Sequence, residues 1–304
     1  MASIAVSEPA SIYLPERRTG LPALWHVVRR KPIGAAAGTV CILLILVAVF
    51  ANQLSPHAPD ATEFPRLQAP SMSHPFGTDN LFRDMFSRII VGSRISLGIG
   101  FASVFIGTIF GTILGLLSGY LRGWVDMVIS RVIEVVLGIP PLVLALFFLS
   151  IFNTRKGYSL ESFFWVSMAI GIIITPTTAR IVRGSVLSIR ELQYIEAAQC
   201  IGNSSWRIMA RHVLPNVVAP IIVIASIQIG NAILAEAALS FLGQGIADDS
   251  HPSWGKMLQD TRGVWQTAWW VSVVPGAAIS LAVLSFNLFG DALRDILDPR
   301  LRSS

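Results

Sequence analysis

Long apolar stretches, separated by shorter polar segments, run through most of the chain. A helix that crosses a membrane needs about 20 mostly apolar residues. Six stretches have about this length: 33–51, 95–120, 127–152, 162–178, 216–242 and 270–290. The pattern therefore predicts an all-α fold, a polytopic membrane helix bundle with six transmembrane helices.

The first stretch resembles two kinds of segment. Val49, Phe50 and Ala51 look like the cleavage site of a secretory signal peptide. However, 32 residues precede the stretch, which is long for the basic region that opens a signal peptide. We interpret residues 33–51 as a retained transmembrane helix.

The composition excludes a large water-soluble domain. Hydrophobic residues make up 53% of the chain and charged residues only 13%, whereas soluble domains carry about 25% charged residues. The net charge of +5 alone is compatible with nucleic-acid binding. Because the arginines cluster at the ends of the apolar stretches, we interpret them as signals of membrane orientation and expect no nucleic-acid partner.

The basic residues predict which side of the membrane each segment occupies, because cytoplasmic segments are richer in Lys and Arg. With the N-terminus in the cytoplasm, 15 of the 23 basic residues fall on the cytoplasmic side, and both termini are cytoplasmic. The predicted organisation is a cytoplasmic N-terminal segment 1–32, a first span 33–51, an outer loop 52–94 with an interfacial helix at about 80–91, a core of five spans at 95–293 that includes a cytoplasmic loop at 180–215, and a cytoplasmic tail 294–304.

The two outer loops, 52–94 and 243–269, differ in character. The first is rich in proline at its start, which disfavours a helix there. The second is rich in tryptophan, and Trp265, Trp269 and Trp270 suit an aromatic belt at the membrane surface.

Four glycines recur every four residues in the second stretch, at Gly107, Gly111, Gly115 and Gly119. On a helix they share one face, and their lack of side chains lets a neighbouring backbone approach closely. We predict that this face packs against another helix. The pattern carries no information about the transported solute.

The loop 180–215 contains the sequence YIEAAQCIGNSSWRIMARHVLP. Residues 192–201 are good helix formers and are followed by Gly202, a residue typical of helix C-termini. Residues 203–205 can cap a second helix at 206–214. The pattern predicts a helical hairpin with Gly202 at its corner.

We expect the first helix of this hairpin to expose Ala197 and Ala198 beside Glu196, and Pro215 to interrupt the chain before the fifth stretch. Small exposed side chains let another surface come close, so the hairpin suits a docking knob. The spacing alone is equally consistent with a solvated loop helix, because helix-turn-helix patterns are common.

Few charged residues lie within the predicted spans. Glu236 has two interpretations: an acid that lines or gates a pathway, or a buried structural acid. The second is favoured, because the flanking residues look like packing sequence. Arg131 and Glu134, three residues apart on one helix face, are expected to pair. The hydrogen-bonding neighbours expected for a structural Glu236 are Ser226, Asn231 or Ser240.

Neither a metal site nor an ATP site is predicted. His57, His74 and His251 lie in outer loops without metal-ligand spacing, and the two cysteines, Cys41 and Cys200, form no CxxC pair. None of the three lysines is followed by Ser or Thr, as a phosphate-binding loop requires. Any energy from ATP therefore has to come from a partner.

Several blocks together resemble the permease family of ABC importers for dipeptides, oligopeptides and nickel. The hairpin is similar to the EAA signature of those permeases, and the similarity covers about residues 70–302. One departure is Phe82, where the family usually has Gly before Arg-Asp. The matching blocks are Glu196-Ala197-Ala198, Gly202 and His212-Val213-Leu214-Pro215 in the hairpin, HPFGTD at 74–79, AEAALSFLG at 235–243, PSWG at 252–255, and the C-terminal segment 287–300.

The resemblance implies a type I ABC importer permease fold in a bacterial inner membrane, with the hairpin as the coupling helix that docks on an ATPase. It implies that this chain binds no cofactor and catalyses no reaction, and that ATP and Mg bind to partner subunits. The implied partners are a second homologous permease, two ATP-binding subunits, a periplasmic or lipid-anchored substrate-binding protein, and membrane lipid. The coupling residues implied are Glu196, Ala197, Ala198, Gly202, Leu214 and Pro215.

The implied substrate is a di- or oligopeptide, with nickel, glutathione and oligosaccharides as alternatives within the same machinery. Two other classes of protein are weighed against this one. A stand-alone secondary transporter should show paired broken spans or a chain of membrane acids. A membrane enzyme should show a nucleophile beside a base, or metal-ligand spacing. We find none of these features in the sequence.

Overall fold

The computed structural model describes residues 31–152 and 157–297, and within these ranges the chain is helical apart from loops and one isolated bridge between Thr78 and Asp84. The predicted N-terminal segment up to residue 30, Arg155 and Lys156, and the C-terminal block from residue 298 lie outside the described residues.

Eleven α-helices occur in the described part of the chain. A π-helical turn, Met209–Val213, joins the eighth helix to the ninth. The helices are α1 Pro32–Val49, α2 Ala51–Leu54, α3 Met85–Leu121, α4 Gly123–Leu137, α5 Pro141–Phe152, α6 Leu160–Arg190, α7 Gln193–Cys200, α8 Ser205–Ile208, α9 Leu214–Phe241, α10 Trp254–Asp260 and α11 Trp270–Leu297.

Among the described residues, α1, α3, α6, α9 with its preceding turns, and α11 are each long and apolar enough to cross a membrane. The predicted third span, 127–152, is not a single unbroken helix. It is a pair of helices, α4 and α5, that meet at an angle of 96°. Pro140 and Pro141 follow Gly138 at the bend, and proline removes a backbone donor and clashes with the preceding turn. The spans therefore number six only if this bent pair is one span.

The predicted separate interfacial helix at about 80–91 is also wrong. Helix α3 starts at Met85 and continues without a break into the second span. Asp84 caps it, because its carboxylate accepts hydrogen bonds from the backbone N–H of Ser87 at 2.8 Å and from the Ser87 hydroxyl at 2.7 Å. The cap fixes the start of the helix, and the mostly apolar residues that follow Val91 let it continue to Leu121.

Helices α3 and α6 run in the same direction and pack closely. The four glycines of α3 lie on the contact face, and a Cβ atom added to Gly111 would come within 2.6 Å of Thr178 Cβ. Such an approach is open only to glycine. The α6 residues against these glycines, from Gly107 to Gly119, are in order Ile174, Thr178, Val182 and Val186.

The helix bundle has two structurally distinct ends, one on each side of its long helices. The loop end consists of residues 55–84 and 243–269, and the hairpin end consists of residues 191–213. At the loop end, Trp270 is only 8% exposed and donates a hydrogen bond from Nε1 to Thr78 O at 3.1 Å. The prediction that Trp270 belongs to an aromatic belt is therefore wrong, whereas Trp265 and Trp269 are each 60% exposed.

Candidate functional site

The corner of the hairpin is built as a tight helix terminus. Gly202 has a φ of +85°, a conformation that favours glycine. Its N–H donates to Gln199 O at 2.9 Å, and the N–H of Asn203 donates to Ala198 O at 3.2 Å. These two bonds form a Schellman motif that satisfies the last carbonyls of α7. The space where a Gly202 side chain would stand is open.

The inner face of the hairpin is apolar and anchors it to the bundle. Ile195 and Ala198 on α7 are buried, together with Ile208 on α8 and Val213 in the π-helical turn. They pack in one cluster with residues from the ends of α3 and α6, including Val186. The expectation that Ala198 is exposed is wrong, because it lies three positions after Ile195 on the same face of α7, and both face this cluster.

The outer face of the hairpin carries large apolar side chains. Ile201 is 80% exposed and Trp206 is 69% exposed, on the two sides of Gly202. Glu196 and Ala197 are exposed on the adjacent helix surface. Large apolar groups exposed together on a surface mark an interaction site. The hairpin thus presents an apolar tip with an acidic and small-residue flank.

Pro215 does not interrupt the chain as expected. The π-helical turn at 209–213 leads directly into α9, and Leu214 and Pro215 are the first residues of that helix. Proline is tolerated there because the first N–H groups of a helix have no intrahelical partner. The side-chain amide of Asn216 donates to His212 O at 2.6 Å and closes this junction. The hairpin is therefore continuous with a membrane-spanning helix.

Glu236 lies on α9 and is 1% exposed. Its carboxylate accepts hydrogen bonds from Ser240 Oγ at 2.7 Å and from Ser96 Oγ on α3 at 3.1 Å. Ser96 Oγ also accepts from the backbone N–H of Trp254 at 3.1 Å. Glu236 thus joins α3, α9 and the start of α10. Two of the three neighbours expected for it bond elsewhere: Ser226 to carbonyls of its own helix and Asn231 to Gln228.

The loop end contains a buried charge network that the sequence pattern did not predict. Arg83 is 1% exposed and donates to Asp79 at 2.7 Å, to Asp249 at 2.5 Å and to Asp260 at 3.1 Å. Burial lowers the pKa of Arg83, but the three carboxylates outweigh it, so the pKa lies above its usual value. The only sequence signal was the Asp79–Arg83 spacing, since the other two acids are more than 160 residues away.

The histidines of the outer loops have separate environments. His74 is buried, with Nδ1 2.9 Å from Asp84 Oδ1, and His57 packs beside it with ring centroids 6.0 Å apart. His251 stacks on Tyr158, with ring centroids 4.5 Å apart. Within the described residues, no three His, Cys, Asp or Glu side chains are grouped so as to hold a metal.

Two of the cavities in the described part of the chain are large enough to matter for a solute. One, of about 570 Å³, lies at the loop end and is lined by polar residues that include Asp248, Lys256 and Gln259. The other, of about 420 Å³, lies between α4 and α6 and is lined by charged residues of both helices. Glu236 lines neither cavity.

Comparisons with known proteins place this arrangement in a family. Residues 111–303 match the family described as binding-protein-dependent transport system inner membrane component. Residues 23–70 match the N-terminal TM domain of oligopeptide transport permease C. The chain belongs to the binding-protein-dependent transport permeases. It is thus a membrane permease subunit of an ABC importer, not an enzyme, and it works with separate ATPase and substrate-binding components.

Relatives in this family align over most of their length. The glutathione transport system permease protein GsiD of Pectobacterium atrosepticum is 40% identical over 305 residues, which cover 100% of this chain and 97% of the relative. The dipeptide transport system permease protein DppC of Alkalihalophilus pseudofirmus is 45% identical over 271 residues, 88% and 86% of the two chains. The probable D,D-dipeptide transport system permease protein DdpC of Escherichia coli is 38% identical and covers 97% of each.

Solved structures agree on the fold of the permease. The inward-facing MetNI methionine ABC transporter aligns with a TM-score of 0.57 at 20% identity, over 70% of this chain and 98% of that chain. An amino acid ABC transporter aligns with a TM-score of 0.51 at 19% identity, over 69% and 94%. The predicted all-α importer permease fold is confirmed.

Proposed function

We propose that this permease imports short peptides, together with a second homologous permease, two ATP-binding subunits and an external substrate-binding protein. The hairpin end faces the cytoplasm, with both termini on that side, and the loop end faces the binding protein in the periplasm or outside the cell. The hairpin couples ATP use to transport by docking on an ATPase subunit, to which ATP and Mg bind. This chain itself holds no cofactor.

The observation that carries the coupling role is the exposed apolar tip of the hairpin. Ile201 and Trp206 are exposed, while the opposite face of the same hairpin is buried in the bundle. A rigid knob of this kind, continuous with α9 through the turn at 209–213, transmits a push from a partner to a membrane-spanning helix. The Schellman motif at Gly202 keeps the corner rigid.

The substrate class rests on the relatives. Two of those described above are named for dipeptides and one for glutathione, which is itself a tripeptide. Their shared chemistry is a small polar solute with amide bonds and free carboxylates. Nickel and oligosaccharides belong to the same type of machinery but have no support among these relatives.

A stand-alone secondary transporter, the other class of transporter weighed from the sequence, has no support in the described part of the structure. Such folds carry paired broken helices at corresponding positions of two repeats. The described residues contain one bent pair, α4 and α5, without a counterpart. A stand-alone transporter also has no use for an exposed apolar hairpin.

The test is reconstitution of the whole transporter in liposomes, with its ATPase and binding proteins, and measurement of peptide uptake and ATP hydrolysis. We expect uptake that requires ATP. In Gly202→Trp, a bulky group enters the open space at the corner and the left-handed backbone is strained, so uptake should fall while the permease remains folded. Normal uptake by this variant would overturn the coupling assignment. Uptake by the permease alone, without ATP, would favour the secondary transporter.

A further inference from the structure

The cavity between α4 and α6 is lined by the polar face of an amphipathic helix. Asp126, Ser130 and Glu134 recur every four residues along α4 and line it. The opposite face of α4 carries a stripe of exposed apolar residues that do not line the cavity. The exposed fractions in that stripe are 38% for Val128, 57% for Val132 and 67% for Val135.

A charged face of this kind is not suited to lipid. Arg131 and Glu134 pair at 2.8 Å, with side chains 78% and 55% exposed. Ionisable groups in a membrane-spanning segment face a protein interior or a water-filled path, because hydrocarbon does not solvate them. We therefore expect the cavity side of α4 to contact water. The valine stripe is suited to contact lipid or a neighbouring subunit.

The charges around the cavity do not cancel. Arg183 pairs with Asp126, and Arg131 pairs with Glu134. Arg180, the third arginine of the lining, is exposed and has no carboxylate partner among the described residues. The lining therefore carries one uncompensated guanidinium.

The position of Arg180 along α6 places the cavity toward the hairpin end. Arg180 comes 20 residues after Leu160, which begins the helix, and this corresponds to about 30 Å of helix. The hydrocarbon layer of a membrane is also about 30 Å thick. A solute that crosses from the loop end thus reaches this arginine near the end of its passage.

We propose that the cavity between α4 and α6 is a stretch of the solute path on the hairpin side, and that Arg180 attracts the anionic group of the solute there. The ligand chemistry is a carboxylate, such as the free C-terminus of a peptide, which a guanidinium binds through paired hydrogen bonds. This inference rests on the proposed function and assigns a residue to its path.

The first test measures water access in the assembled transporter with its ATPase subunits. Single cysteines replace Ser130 on the polar stripe and Val132 on the apolar stripe, in a Cys200→Ser background that removes the exposed native thiol; Cys41 is buried. Membrane-impermeant thiol reagents should modify Ser130→Cys and leave Val132→Cys unmodified. Met127→Cys, also on the cavity lining, serves if Ser130→Cys does not assemble. Modification of Val132→Cys alone, or of neither stripe, would overturn the proposal.

The second test measures the charge of the path. An anionic reagent should react with Ser130→Cys faster, relative to a cationic reagent of similar size, while Arg180 is present. Adding Arg180→Gln should lower this anionic-to-cationic ratio by about threefold or more, because one nearby charge is removed. Arg294→Gln, which removes an exposed arginine on α11 away from the cavity, should leave the ratio unchanged. If the anionic-to-cationic ratio is the same with and without Arg180, Arg180 does not attract anionic solutes in this cavity.

These measurements are independent of solute identity. If peptide uptake with ATP is seen but Ser130→Cys is inaccessible, the path assignment fails and the proposed function stands. If Ser130→Cys is modified and Val132→Cys is not, but no peptide is imported, the proposed substrate is wrong. The assignment of the polar stripe of α4 to a water-filled path is then still supported.

Discussion

Arg183 on α6 donates two hydrogen bonds to Asp126 on α4, from Nε at 2.6 Å and from Nη2 at 2.7 Å. Ser118 on α3 also donates to Asp126. One carboxylate thus ties three helices together. This matters because Ile133 is the one buried residue of α4, so apolar packing contributes little to holding that helix.

Asp126→Asn should therefore destabilise the permease. It removes the charge that pairs with a half-buried Arg183, and breaking such a pair costs about 1–3 kcal/mol. Thermal unfolding of the purified permease in detergent checks this. Glu134→Gln, which breaks the exposed pair with Arg131, should change stability by less than about 1 kcal/mol. Equal losses in the two variants would contradict the role given to Asp126.

Gly111→Leu should disrupt the contact between α3 and α6. A Cβ atom at this position would lie 2.6 Å from Thr178 Cβ and 2.9 Å from Thr175 O, so the helices have to move apart. Overpacking of this kind costs about 1–3 kcal/mol. The control is Gly276→Ala on α11, where no atom of a neighbouring element lies within 4 Å of the added Cβ. The melting temperature of the permease should fall in Gly111→Leu and stay unchanged in Gly276→Ala.

Glu236→Leu should lower stability by about 1–3 kcal/mol, because the hydroxyls of Ser96 and Ser240 lose their acceptor inside the protein. Glu236→Gln keeps an acceptor oxygen and should cost less. Because Glu236 lines neither cavity, peptide uptake by the folded Gln variant should match that of the wild type. A Gln variant of normal stability that no longer transports would assign Glu236 to the pathway instead.

Phe82→Gly should be tolerated or stabilising. Phe82 has a φ of +62°, a left-handed backbone conformation, at the position where the sequence resemblance leads us to expect glycine. This conformation costs an L-residue about 1–2 kcal/mol, partly offset by the extra unfolded-state entropy of glycine. Phe82→Val should instead lower the melting temperature, since a β-branched residue fits a positive φ poorly. A more stable Val variant would show that the backbone strain is not the deciding term.

Trp206→Ala should weaken the association with the ATPase without unfolding the permease. Trp206 is 69% exposed, so its loss removes little packing within this chain, whereas truncation of an aromatic anchor at an interface costs about 2 kcal/mol or more. Co-purification of the ATPase and ATP-driven uptake are the measurements. Trp265→Ala, which removes a tryptophan of similar exposure at the loop end, should change neither.

The sequence by itself determined the class of the protein. Runs of about 20 apolar residues report membrane spans because hydrocarbon rejects polar side chains. The hairpin motif is local, since a helix, a glycine and a second helix depend on neighbouring residues. The glycine spacing of α3 likewise identified a face without side chains, although it could not name α6 as the neighbour or set the direction in which the two helices run.

Only the tertiary structure decided which distant groups meet. Arg83 joins Asp249 and Asp260, and Trp270 is buried against Thr78 rather than placed at the membrane surface. Such contacts depend on how the spans pack against one another, and the hydropathy of the sequence does not predict that packing. Pro140 and Pro141 mark the break between α4 and α5 in the sequence, but only the structure gives its angle of 96°.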